Sequence, residues 1–198
     1  MRIALTGTHS IGKTTLLNKL IQHFPLTPIS GISRNAADTH SFKLNIAHND
    51  EFKSDALQKY LVKKHVKLLK DGLSNKFKTE VFIEDRCLVD ALAYTQLFYD
   101  RNQINKKTYL YCFKKLNWLD KYDLIIYLPL DITTHKVVQD GYRDIDKQYQ
   151  IDIDRIIKNV LTMSRGSSIY TCTNTDFHKR DYEVMKIIER KLKCLKEN

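Results

Sequence analysis

The chain has 198 residues, of which 42% are hydrophobic and 28% are charged, proportions that are typical of a globular protein. This length suits one domain with a sizeable core, and no apolar run approaches the roughly 20 residues needed to span a bilayer. The N-terminus enters the first predicted strand without a signal peptide, so we expect a cytoplasmic protein with no membrane partner.

The net charge is +10, which favours anionic partners such as nucleotides or nucleic acid. Lysines on solvated helix faces explain the same charge equally well, so DNA binding stays an open alternative. The four cysteines are Cys87, Cys112, Cys172 and Cys194. They have no metal-binding spacing and are predicted to be reduced thiols, mostly in the core.

The first predicted elements are a buried strand over 2–6 and a helix over 13–23, joined by residues 7–15 with the sequence GTHSIGKTT. The spacing G-x-x-x-x-G-K-[ST] between a strand and a helix is a Walker A motif, whose backbone N–H groups hold the phosphates of a nucleotide. Lys13 is predicted to reach the β- and γ-phosphates, and the Thr14 hydroxyl to ligate Mg²⁺. Side chains of such loops usually point outward, so the His9 side chain is assigned no chemistry. The predicted ATP-binding residues of this loop are Gly7, His9, Ser10, Ile11, Gly12, Lys13, Thr14 and Thr15.

A weaker second strand is predicted near 29–33, ending at Arg34, which is a candidate for binding the acceptor. A long amphipathic helix with interspersed lysines follows over 51–77. The next strand, over 81–83, ends in Glu84, Asp85 and Arg86. Asp85 can serve the metal or accept a proton, and Arg86 can bind an acceptor phosphate or the transferred group. The alternative is that Asp85 caps the next helix while Arg86 pairs with Glu84.

Two helices are predicted over 88–99 and 106–119, then a strand over 124–127, a helix over 147–163, a strand in SSIYTCT and a closing helix over 182–196. The polar stretch over 131–150 contains Arg143 and is predicted to be a lid that carries this arginine over the phosphates.

Strands that alternate with helices predict an α/β fold, a parallel five-stranded sheet between two helical layers. Ligands of such sheets bind at the carboxyl ends of the strands. We therefore expect four segments to converge: residues 7–15, the pair Asp85 and Arg86, Asp131, and residues 173–176.

Three segments, ALTGTHSIGKTTLLNKL, IEDRCLVDALAYTQL and DGYRDIDKQYQIDIDRIIKNVL, resemble the P-loop kinase-type AAA-domain family. This family includes ribosylnicotinamide kinases and many phage-encoded proteins, and it is close to thymidylate and deoxynucleoside kinases. For a phage-encoded member, the implied compartment is the host cytoplasm.

The resemblance implies a single P-loop kinase domain over 1–198, with the P-loop NTPase three-layer sandwich, a lid at about 131–150, and ATP and Mg²⁺ as cofactors. It implies a metal site at Thr14 and Asp85, substrate contacts from Arg86, a lid arginine at Arg143, and adenine packing at 173–176, where Asn174 lies. Nucleoside kinases usually carry an acidic general base after the second strand, yet PISGISR has none before Arg34. Either Asp85 takes that role, or the acceptor is already a phosphate.

These observations predict a kinase of nucleotide metabolism that transfers the ATP γ-phosphoryl to a nucleoside or nucleoside monophosphate. The alternative is a kinase that acts on DNA, at a terminal hydroxyl or at the hydroxymethyl group of a modified pyrimidine. A GTPase or another non-kinase ATPase is disfavoured, because N-K-x-D and D-x-x-G motifs are missing and the chain is short for an AAA motor. The oligomeric state is left open, a homodimer being one option.

Overall fold

The computed structural model of the protein describes residues 1–32, 36, 51–72, 80–131, 147–174 and 176–196. The described strands are β1 (Arg2–Thr6), β2 (Thr27–Ile29), β3 (Phe82–Asp85), β4 (Leu124–Tyr127) and β5 (Ile169–Thr171). The described helices are α1 (Lys13–His23), α2 (Glu51–Gly72), α3 (Leu88–Asp100), α4 (Lys106–Phe113), α5 (Lys147–Thr162) and α6 (Phe177–Lys196), with a 3₁₀ helix (Leu116–Lys121) after α4.

The strands form one five-stranded sheet in the order β2-β3-β1-β4-β5, and every pair is parallel. Strand β1 lies in the middle, where Ile3 is opposite Ile83 of β3 and Leu124 of β4. The predicted parallel sheet is confirmed. Because β3 and β4 flank β1, the segments that follow these three strands meet at one edge of the sheet.

Alternating side chains of the strands enter two separate cores. Ile3 and Leu5 of β1 belong to the core that includes α1 and α6 residues, such as Leu16 and Val184. Ala4, between them, belongs to the core with residues of α2, α3 and α5. Helices therefore cover both faces of the sheet, which confirms the three-layer α/β architecture.

The second strand was predicted too far along the chain, since β2 spans Thr27–Ile29 rather than 29–33. Strand β2 pairs with β3 on one side, and the N–H of Thr27 donates to the carbonyl of Val81 at 2.8 Å. The backbone groups of consecutive residues in a strand point to alternate sides. The nitrogen of Pro28 therefore points away from β3, and the absence of an N–H there costs no hydrogen bond to β3.

Two helix boundaries also differ from prediction. The helix predicted over 106–119 ends at Phe113, and the chain then tightens into the 3₁₀ helix, which buries Leu119. The closing helix begins at Phe177 rather than 182, because the Asp176 carboxylate accepts hydrogen bonds from the N–H groups of His178 and Lys179. These backbone hydrogen bonds lower the pKa of Asp176. The last part of the helix predicted over 51–77 lies outside the described residues.

The cysteine prediction is confirmed, since none of the four cysteines forms a disulfide and three of them, Cys87, Cys112 and Cys172, are buried. Among the described helices, none combines the length and the apolar character that crossing a membrane requires.

Candidate functional site

The phosphate loop, residues 7–15, follows the central strand β1. Gly7 and Gly12 have positive φ angles of 146° and 80°, which side chains rarely tolerate. A Cβ atom on Gly7 would lie 2.5 Å from the carbonyl oxygen of Leu128 and would also overlap Ile11 Cδ1. A Cβ atom on Gly12 would lie 3.1 Å from the Phe177 ring. Both glycines of the motif are therefore required by the backbone and by its neighbours.

Lys13 is buried at the start of α1 and folds back over the loop. Its Nζ donates to the carbonyl oxygens of Gly7 at 2.7 Å and Thr8 at 2.6 Å. Gly12 occupies the N-cap position, and among the described residues no side chain caps this helix end. The first-turn N–H groups of α1 and the Lys13 ammonium therefore lie together, an arrangement suited to an anion.

Thr14 and Asp85 join the phosphate loop to the end of β3. The Thr14 hydroxyl donates to Asp85 Oδ2 at 2.5 Å. The other carboxylate oxygen, Oδ1, is buried and has no hydrogen-bond partner among the described residues. Hydroxyl and carboxylate oxygens are the ligands that Mg²⁺ prefers. The uncompensated oxygen beside the hydroxyl fits a magnesium ion as the missing partner.

Asp85 does not cap the following helix. The N-cap of α3 is Cys87, whose N–H donates to the Asp90 carboxylate at 2.8 Å. Since Asp90 fills the capping role, the Asp85 carboxylate stays directed at Thr14.

Arg86 does not pair with Glu84, whose carboxylate has other partners. Glu84 is buried, accepts a hydrogen bond from the Tyr122 hydroxyl at 2.8 Å and lies 3.5 Å from His65. The Arg86 guanidinium lies 5.8 Å from the centre of the Tyr94 ring. Burial acts to lower the pKa of Arg86, but the nearby Tyr94 and acidic groups raise it above its ordinary value, so the group stays charged.

The His9 side chain is buried against the helices that flank the loop. Its ring centre lies 5.8 Å from that of Tyr149, and its Nδ1 is 3.5 Å from the Tyr94 hydroxyl. The Gln150 amide donates to the His9 carbonyl at 3.2 Å. Helices α3 and α5 pack on each other. Through Tyr94, Tyr149 and Gln150 they cover this side of the loop.

The remaining loop residues differ in their surroundings. Ser10 adopts a left-handed conformation, with φ of 61°. Ile11 is buried in the core shared with α6, and Arg180 of that helix donates to the Ile11 carbonyl at 2.7 Å. Thr15 is exposed in the first turn of α1. The Ile11 side chain is thus directed into the core and away from the nucleotide-binding side of the loop.

The segment after β5 reaches the same edge of the sheet. Asn174 is tied to Glu183 through its backbone N–H at 3.2 Å and its side-chain amide at 2.5 Å. Phe177, at the start of α6, is exposed beside Gly12. The half-buried Asp131 follows β4 at this edge. Arg34, Arg143 and the predicted lid over 132–146 lie outside the described residues.

Sequence reasoning missed several side chains that touch the loop. Tyr94, Tyr149 and Gln150 lie on helices whose periodicity marked their apolar residues simply as core, and the sequence gives no sign that they face the loop. Arg180 lies in FHKRDYE, which has the composition of an exposed helix. Its burial follows from the earlier start of α6, which the capping residue Asp176 signals.

A five-stranded parallel sheet of this order, with a Walker A loop after its central strand, defines a P-loop NTPase fold. The sequence matches a family model described as an AAA domain over residues 2–180. The chain therefore belongs to this AAA-domain family.

Two solved structures with similar folds are of deoxyadenosine kinase from M. mycoides. One contains the products dCMP and a flexible dCDP, with a TM-score of 0.72, and the other contains dCTP, with a TM-score of 0.68. Each is 16% identical and covers 96% of this chain and 100% of the kinase chain. At this identity the likeness establishes the fold. The search of curated proteins found no match.

Proposed function

We propose that the protein is an ATP-dependent phosphotransferase of the nucleoside and nucleotide kinase type. The observation that carries this proposal is the contact between Thr14 and Asp85, with one Asp85 oxygen buried and without a partner among the described residues. This pair lies where the phosphate loop meets the neighbouring strand, and Arg86 follows it directly. A metal ligand and a fixed cation thus adjoin the predicted position of the transferred phosphoryl group.

The residues divide the work of phosphoryl transfer, which depends on positioning and charge stabilisation. The loop amides and Lys13 would bind the phosphates of ATP. Magnesium bound at Thr14 and Asp85 would neutralise charge on the β- and γ-phosphates. Arg86, held in the turn between β3 and α3, would bind the acceptor or the transferred group.

Asp85 is better placed to hold the metal than to act as general base, because its carboxylate already contacts the hydroxyl of Thr14, the other proposed metal ligand. The residues directly after β2, 30–32, include no acid that would replace it as a base. An acceptor that is already a phosphate needs little deprotonation. This combination favours a nucleoside monophosphate over a nucleoside as the acceptor.

Three further contacts complete the proposal. Arg143 would close over the phosphates as the lid arginine, and Arg34 would bind the acceptor. On the other side of the loop, the adenine would pack near Asn174, beside the exposed Phe177 ring. The fold match with deoxyadenosine kinases, over the full length of those chains, supports a kinase of nucleosides or nucleotides in general.

A DNA-directed kinase is the second candidate, and the net charge of +10 is what favours it. Some of the described lysines that would attract a polymer lie at the amino ends of the strands, away from the phosphate loop. Arg2 begins β1 and donates to the carbonyl of Leu68 at 3.2 Å, which places Lys67 and Lys70 at the amino ends of the strands. A small acceptor is therefore the better supported choice.

The test is transfer of labelled γ-phosphate from ATP, in the presence of Mg²⁺, to a panel of acceptors. The panel contains nucleosides, nucleoside monophosphates, nicotinamide riboside, and DNA with plain or hydroxymethylated pyrimidines. We expect label on a nucleoside monophosphate and no transfer by Lys13→Ala. Label on DNA alone would establish the second candidate, and release of free phosphate with no labelled acceptor would indicate an ATPase. Retained transfer by Lys13→Ala would contradict the role of the loop.

A further inference from the structure

Two buried polar side chains hold the backbone of the phosphate loop from outside. Arg180 of α6 donates from Nη1 to the carbonyl of Ile11 at 2.7 Å, and Gln150 of α5 donates from Nε2 to the carbonyl of His9 at 3.2 Å. Arg180 is 5% exposed and Gln150 is 1% exposed. The two helices pack on opposite faces of the sheet, so the loop is held from both sides.

Each of these hydrogen bonds also sets the direction of an amide. In a planar trans peptide the carbonyl of one residue and the N–H of the next point in opposite directions, and the described chain contains no cis peptide bond. With the Ile11 carbonyl turned to Arg180, the Gly12 N–H points away from α6. With the His9 carbonyl turned to Gln150, the Ser10 N–H points away from α5. Both amides are thereby turned toward the inside of the loop.

We propose that Arg180 and Gln150 are positioning residues that aim the Gly12 and Ser10 amides at the nucleotide phosphates before the nucleotide binds. This inference rests on the proposed function, because it requires the loop to bind a nucleotide. Amides fixed in advance need no reorganisation when the anion arrives.

Burial of the charged Arg180 side chain carries a desolvation cost. Its Nη2 pairs with Asp181 at 3.1 Å, and Lys19 pairs with the same carboxylate at 2.6 Å. The Nε atom is buried without a hydrogen-bond partner among the described residues. Apolar residues often replace buried ion pairs with no loss of stability, so stability alone does not explain an arginine here. The hydrogen bond from Arg180 to the Ile11 carbonyl explains why an arginine occupies this position.

The chain offers a matched control for each residue. Arg2 is 7% exposed, donates to the Leu68 carbonyl and lies 4.0 Å over the Phe82 ring. Arg180 makes the same kinds of contact, with its guanidinium 4.7 Å from the Phe177 ring centre. Gln58 is 1% exposed, like Gln150, and accepts a hydrogen bond from Thr95 between α2 and α3.

The experiment compares Arg180→Met and Gln150→Met with the controls Arg2→Met and Gln58→Met. We expect all four variants to melt at lower temperature than the wild type. Only the first two should bind Mg-ATP more weakly in calorimetry, by roughly tenfold, the effect of losing one hydrogen bond to a charged group. Arg180→Lys, which keeps a charged donor, should recover part of the affinity. Equal weakening by the controls would reduce both residues to a structural role and overturn the inference.

A second measurement requires no nucleotide. The backbone amide signals of Ser10 and Gly12 in the NMR spectrum of the nucleotide-free protein should shift in the Gln150 and Arg180 variants, respectively, and stay in place in the controls. Unshifted signals overturn the inference even if the wild type binds ATP normally. Failure of the wild type to bind Mg-ATP contradicts the proposed function and, with it, the inference.

Discussion

Arg86 adopts a left-handed backbone conformation, with φ of 69°, in the turn between β3 and α3. A residue with a side chain in this region costs of order 1–3 kcal/mol unless its surroundings hold it there. Its N–H donates to the Leu5 carbonyl at 3.1 Å, and its guanidinium lies over Tyr94. Glycine would fit this backbone with less strain, so the side chain at this position is better explained by chemistry than by folding.

We expect Asp85→Asn to lower the rate of phosphoryl transfer by about 100-fold or more, the usual effect of removing a group that stabilises transition-state charge. The amide preserves the shape but not the charge that attracts Mg²⁺. Because one Asp85 oxygen is buried without a described partner, the melting temperature without nucleotide should not fall. Activity as a function of Mg²⁺ concentration and thermal unfolding measure the two effects.

Glu84→Gln is the control, since Glu84 precedes Asp85 on β3 but contacts Tyr122 and His65 on the other side of the sheet. It should lower stability and leave the magnesium dependence unchanged. Wild-type activity and magnesium dependence in Asp85→Asn would remove Asp85 from the metal site.

At this scale the sequence predicts residues whose role depends on a fixed local pattern. The Walker A spacing located Lys13 and Thr14, and the end of a buried strand located Asp85. Whether these residues act as proposed stays a prediction. The pattern could not predict that His9 is buried or that Arg180 touches Ile11, because both contacts join segments far apart in the chain.

The junction between β5 and α6 depends on the Glu183 carboxylate. It accepts hydrogen bonds from the Tyr170 hydroxyl at 2.5 Å and from the N–H groups of Thr173 at 2.9 Å and Asn174 at 3.2 Å. Burial acts to raise the pKa of Glu183, but hydrogen bonds from Tyr170, Asn174 and Thr173 lower it from 4.5 to about 2. One side chain thus fixes the segment that carries the proposed adenine contact.

We expect Glu183→Gln to be less stable than the wild type at neutral pH, and the difference in free energy of unfolding to shrink as the pH falls from 4.5 toward 2. The carboxylate takes up its proton at a lower pH in the folded protein than in the unfolded chain, so acid removes its contribution. Denaturant titrations at a series of pH values measure this difference.

Glu189→Gln changes a carboxylate of the same helix that pairs with Lys193 on the exposed surface. Its effect should be small, because exposed pairs contribute little. A constant difference between Glu183→Gln and the wild type across this pH range would contradict the role of Glu183.

Elements marked by a continuous apolar run or a clear helical period were predicted closely from the sequence. Strands β1 and β4 and helix α1 have the predicted bounds. The errors lie at β2, after α4 and at the start of α6. The bounds of β2 depend on its pairing with β3 alone, the 3₁₀ helix after α4 depends on the packing of Leu119, and the start of α6 depends on the cap at Asp176. Hydrophobic periodicity carries no information about any of these.

In the part of the molecule that the structure describes, positively charged side chains lie at both ends of the sheet. Lys13 and Arg86 lie at the carboxyl ends of the strands. Lys67, Lys70 and Lys121 are exposed at or near the amino ends, and Lys70 lies 5.3 Å from the centre of the Trp118 ring in the 3₁₀ helix. A short polyanion bound to these three lysines would therefore lie at the opposite end of the sheet from the phosphate loop.

We expect a short single-stranded oligonucleotide, added at low salt, to leave transfer to a small acceptor unchanged. Binding to the three lysines should weaken steeply with added salt, because each phosphate contact releases counterions. Kinase assays with and without the oligonucleotide, beside fluorescence anisotropy over a salt series, provide the measurement. The variant Lys67→Glu with Lys70→Glu and Lys121→Glu should bind less, and the same exchange at Lys186 and Lys193 of α6 should have less effect. Competitive inhibition by the oligonucleotide would instead favour a DNA-directed kinase.

Pro28, the middle residue of β2, has a consequence for the protein in concentrated solution. Strand β2 is an edge of the sheet among the described strands. Exposed edges recruit strands from other molecules and start aggregation. Proline offers no N–H to a strand arriving at that edge, so it interrupts the ladder that a second molecule would need. Pro28 therefore also works against intermolecular sheet growth at this edge.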